Sequence, residues 1–148
     1  MSIWTSLIAV IGTLGGAATA SLMQQRSARA DRTEQRVREL RQQRLEAVTG
    51  LSAALADHRR AMWLREQARL SGGDWEAARA ASHETRAAIT APMTALVLLA
   101  PSLTGAARTA ADATYALRDA DTPAALEAGR TAAISAVEDL VKQASDLF

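Results

Sequence analysis

The two histidines, His58 and His83, are the side chains best suited to metal or proton chemistry. They stand on either side of Gly72-Gly73, with Asp57 and Glu84 beside them. A helical hairpin turning at those glycines would bring the imidazoles within a turn or two of each other. A closed zinc site needs about four ligands, and paired histidines one helical turn apart are missing, so carboxylates would have to complete it. Buried hydrogen bonding, or salt bridging with Arg59, Arg60 and Arg86, is the favoured reading, with no metal and no cofactor expected. A Gly-rich phosphate loop, a nucleophile elbow, a dinucleotide fingerprint and paired catalytic carboxylates are all missing from the sequence. Without cysteine there is no thiol nucleophile, thiolate zinc site or lipidated cysteine. The chain reads as non-enzymatic.

A second group of residues suits contact rather than catalysis. On a helical projection Arg26, Arg29, Arg32 and Arg36 share an arc of about 120°, while Asp31, Glu34 and Glu39 lie outside it. Such a stripe fits anionic headgroups, at about 1 kcal/mol per cation near a membrane surface. DNA phosphate is the less favoured partner, because no groove-reading motif or aromatic platform accompanies the stripe. Nearer the start, Gly12, Gly16 and Ala20 repeat every fourth residue and offer a close-approach face for helix association.

The element that must carry these small residues runs from Ser2 to Met23, 22 residues without a charge. At about 1.5 Å per residue a helix of that length crosses a hydrocarbon layer of about 30 Å. Its Gly, Ser and Thr content makes insertion favourable but marginal, so partner helices would help. Ala18-Thr19-Ala20 has the form of a signal-peptide cleavage site, but no cation precedes Arg26, whereas a signal peptide carries its charge ahead of the apolar run. With seven arginines between Arg26 and Arg44, the positive-inside rule places the N-terminus outside and the C-terminal body in the cytoplasm.

Beyond the anchor, residues 24–70 hold no proline and space Val37, Leu40, Val48, Leu51, Leu55 and Met62 as one helical face. Ser71-Gly72-Gly73-Asp74 predicts a turn, with Asp74 capping the next helix. That helix starts near Trp75, sets Ala78, Ser82, Ile89, Met93, Leu96 and Ala100 inward, and should kink at Pro92. A third helix is expected over 103–120. Thr122-Pro123 then supplies a cap and a first-turn proline for a fourth, whose inner face carries Leu126, Ala133, Val137, Leu140, Ala144 and Leu147. The uncharged stretch 87–107 contains Pro92 and Pro101 and reads as the buried centre of a bundle rather than a second span. With 35 alanines and only 3% aromatic residues, helices must approach closely to bury a core. The fold class is all-α: an N-terminal transmembrane helix over residues 1–25 continues into a long amphipathic helix, packed with three further helices in a cytoplasmic bundle over 26–148.

Several strings, in order, are similar to one family: Ile8-Ala9-Val10-Ile11-Gly12-Thr13-Leu14, Asp57-His58-Arg59-Arg60-Ala61-Met62-Trp63, Ser82-His83-Glu84-Thr85-Arg86 through Pro92, and Ala113-Thr114-Tyr115-Ala116-Leu117-Arg118-Asp119-Ala120. Together they resemble the small KilB proteins of Streptomyces conjugative plasmids and chromosomes. The resemblance implies a membrane-associated accessory of plasmid spread between mycelial compartments, lethal when unregulated, and carries across no catalytic residue. The expected partners are the membrane, further copies of the chain and proteins of the conjugation machinery. A holin-like or toxin-like membrane-permeabilising protein and a membrane-tethered DNA-contacting adaptor are the alternatives.

Overall fold

Helix-forming residues without an internal proline produce one long helix, and three prolines and a glycine pair punctuate the rest of the chain. In the computed structural model, which describes the backbone of residues 3–147 and side chains of residues 32–147, α1 spans Ile3–Ser71, α2 Trp75–Ala88, α3 Thr90–Leu99, α4 Thr104–Tyr115 and α5 Pro123–Ser145, with a 3-10 turn at Pro101–Leu103. There is no strand among the described residues, and the protein is all-α. Its contacts divide it into units 1–40 and 41–148. Among the described residues no helix is long and apolar enough to cross a membrane. The side chains of the expected anchor, including Gly12, Gly16 and Ala20, lie outside the described residues.

Each boundary has a local cause. α1 closes through paired backbone bonds, Gly73 N–H to the Ala68 carbonyl at 2.8 Å and Gly72 N–H to the Arg69 carbonyl at 3.4 Å, with Gly72 at φ 72°. Only that left-handed glycine lets the chain reverse while satisfying the last carbonyls. Asp74 accepts the Glu76 N–H at 3.2 Å and starts α2, and Thr122 accepts the Ala125 N–H at 3.1 Å and starts α5. The expected kink at Pro92 lies between α2 and α3, interrupted only at Ile89, which keeps helical dihedrals (φ −69°, ψ −28°): the proline has no N–H to continue the ladder, and its ring opposes the preceding turn. Pro101 opens the 3-10 turn. α4 ends at Tyr115, five residues short of the expected Ala120, in a turn where Asp119 takes φ 61°.

The core of the 41–148 unit joins Val48, Leu51 and Leu55 of α1 to Ile89, Leu96, Leu103, Ala107, Ala110 and Leu140. A smaller cluster gathers Met62, Leu117, Leu126 and Ala133. Ala107, Ala110 and Ala133 are completely buried, as close helix approach on an alanine-rich sequence requires. Ser82 and Ala144 are buried as read, while Ala78, Met93 and Val137 are half-buried. Val37 and Leu40 are corrections: at 60% and 40% exposed they are not part of the buried face, which starts at Ala47. Leu147 is exposed as well, because α5 ends at Ser145.

Candidate functional site: an arginine-lined pocket

The turn at Gly72 folds two helical faces beside each other, and both follow the same period. From α1 come His58, Met62, Arg65 and Arg69, and from α2 come Trp75, Arg79, Ser82 and Arg86, each set spaced by four, three and four residues. This is the stripe that meets a neighbouring helix, ordinarily filled with apolar side chains. Here four of its eight positions are arginine. Those side chains cannot pack as a dry seam, and a cavity of about 270 Å³ opens among them, closed at one side by Tyr115 at the end of α4 and by Arg118 and Asp119 in the turn after it.

Aromatic faces hold the guanidiniums. Arg65 and Arg79 lie 5.9 and 5.5 Å from the centroid of the Trp75 ring, and Arg86 lies 4.3 Å from that of Tyr115. A guanidinium lying on a ring uses its face for the contact and leaves its N–H edge for other partners. Below them Glu66 is fully buried, accepting a 2.7 Å hydrogen bond from Arg69 Nε and standing 3.5 Å from Arg65 Nε. The Glu66 bond is the leading reason the Arg69 guanidinium holds its proton more tightly than usual. Arg69 also donates to the Ala120 carbonyl, tying the α1 end to the turn after α4.

His58 is buried, its ring edge-on to Tyr115 at 5.5 Å, with Nδ1 2.9 Å from Thr85 Oγ1. The Thr85 hydroxyl already donates to the carbonyls of Ala81 and Ser82, so His58 Nδ1 carries the hydrogen and donates to it. Burial first, then the Arg86 and Arg65 charges, lower the imidazole pKa to about 4. His58 is therefore neutral at physiological pH.

The sequence paired His58 with His83, and both line this pocket, but His83 is exposed while His58 turns to Thr85. Asp57 and Glu84 are not buried, and no group of three metal-ligating side chains occurs among the described residues. Arg86 joins the site through Tyr115. Arg59 and Arg60 instead line a separate depression with Trp63 and Arg130. Of the basic stripe, Arg32 and Arg36 are exposed on α1, and Arg26 and Arg29 lie outside the described side chains. Sequence reasoning missed Arg65, Arg69, Arg79 and Arg118. The repeated four-three-four spacing around the glycines, with arginine where leucine belongs, was the signal that could have found them.

The described residues define an all-helical protein with a cationic pocket between α1 and α2. A family model described as KilB plasmid transfer protein matches residues 45–148. Protein KilB of Streptomyces lividans is 50% identical over 147 aligned residues, which cover 97% of each chain. The chain belongs to the KilB plasmid transfer protein family. No solved structure matches it.

Proposed function

We propose that this chain is a non-enzymatic accessory of conjugative plasmid spread that works by associating with itself at the cell membrane. Family membership along 97% of the chain carries the plasmid-spread role. The membrane part of the reading is supported by the 22 uncharged residues from Ser2 to Met23 and the arginines that follow them. The anchor crosses once, with the N-terminus outside and the bundle in the cytoplasm. Gly12, Gly16 and Ala20 supply the face on which copies meet, while Arg26, Arg29, Arg32 and Arg36 rest against anionic headgroups. Proteins of the conjugation machinery are its remaining partners.

Topology is tested by fusing a reporter to the C-terminus and washing membranes at alkaline pH. The reading expects activity from a cytoplasmic reporter and retention of the protein in the washed membrane. A periplasmic-type reporter that is active there would reverse the orientation, and complete release by the wash would remove the anchor. The permeabilising alternative separates on leakage, since only a pore-former releases dye from liposomes.

A further inference from the structure

We propose that the pocket between α1 and α2 binds a small ligand through a phosphate group. Five guanidiniums, Arg65, Arg69, Arg79, Arg86 and Arg118, line it. Against them stand two carboxylates: Asp119 on the wall, paired with Arg118 at 3.3 Å, and Glu66 beneath, taken up by Arg69 and Arg65. Asp121 also acts on Arg69, so with it the five cations keep an excess of about two positive charges, and His58, neutral by burial, adds none. Arg79, Arg86 and Arg118 are exposed, so water screens their repulsion in the free protein and their N–H edges are open to an approaching anion.

The donors are arranged as well as numerous. Arg79 and Arg86 make no ion pair among the described residues, yet each is steadied on an aromatic face, Trp75 and Tyr115 respectively. Arg65 is 92% buried in the wall, and its Nε has no hydrogen-bond acceptor, since the 3.5 Å approach to Glu66 does not make a bond. Glu66 therefore engages Arg65 by charge without a hydrogen bond at Nε.

Chemistry and size narrow the class. Planar guanidinium forks pair two-to-two with phosphate oxygens. A net charge of about two is met by a dianion better than by one carboxylate. About 270 Å³ is small for a pocket, which suits a phosphate or diphosphate carrying one small substituent, rather than a polynucleotide or a folded partner. The phosphate could belong to a soluble ester or to a lipid headgroup.

The test uses the purified full chain, titrated with pyrophosphate and, separately, with short-chain phosphatidic acid below its micelle concentration, reading tryptophan fluorescence and melting temperature. Saturable binding of either probe is expected, and whichever binds at least about tenfold tighter names the source, solution or lipid. Arg79→Gln and Arg86→Gln should each weaken binding about tenfold, with the Lys versions losing less, because charge survives while the fork is lost. Arg130→Gln removes the same charge on another face and should leave affinity unchanged. Both pocket arginines are exposed, so the fold should survive; if the Gln variants lose their helical signal, Arg118→Gln takes their place with the same expectation. The proposal is overturned if neither probe gives a saturable response, or if the pocket variants bind no more weakly than Arg130→Gln.

Discussion

Stability of the bundle should depend on one imidazole. The unfolded chain protonates His58 near its ordinary pKa of 6.5, while the folded protein refuses the proton until about pH 4. A folded pKa below the unfolded one gives stability that is complete above pH 6.5 and is lost as the pH falls toward 4. Each pH unit within that window is worth about 1.4 kcal/mol per proton, so the loss approaches about 3 kcal/mol. His58→Phe keeps a ring against Tyr115 but cannot titrate and gives up the Thr85 bond. At about pH 7.5 the variant should therefore melt below wild type, and the gap should narrow or invert by about pH 4.5. A gap constant with pH would show that His58 is protonated, or solvated, in the fold. The burial of this histidine was legible from its place among apolar residues of α1. Its partner was not, because Thr85 carries no charge and its role depends on the rotation of α2 about its own axis.

At the scale of elements, the punctuation was the most legible part of the chain. Asp74, Thr122 and Pro123 begin helices where their side-chain chemistry says they should. Gly72 ends one where a positive φ is needed. A Cβ added at Gly72 meets nothing within 4 Å, so Gly72→Ala isolates the backbone cost: a loss of about 1 kcal/mol of stability, seen as a few degrees in melting temperature. No change would mean that the turn is closed by contacts elsewhere. Thr122→Ala should cost a similar amount, through the Ala125 N–H left without its acceptor. Ala133→Leu, at a fully buried site on α5, should cost about 1–3 kcal/mol by forcing helices apart. Less legible was the point where the long α1 becomes buried. Val37 and Leu40 keep the same period as Val48 and Leu51, and periodicity says which face is apolar, not whether another helix reaches it. The arginine pocket escaped for a related reason: its residues are scattered through three helices and the turn after α4, and share a wall only once that turn and the one at Gly72 are formed.

For the molecule as a whole, the family was readable from four short strings, and the all-α class from alanine content and spacing. The division of labour proposed here gives the bundle to contact and the N-terminal segment to the membrane, where copies meet. Gly12 and Gly16 can be replaced by Ile without making the segment less apolar, so insertion should persist while a partner backbone is pushed away by the width of a side chain. The direct measurement is cross-linking in native membranes at matched expression, wild type beside Gly12→Ile/Gly16→Ile. The account predicts a ladder of oligomers for wild type that shrinks toward monomer in the double variant, with both proteins still in the membrane fraction. Wild-type protein that yields no ladder would contradict it.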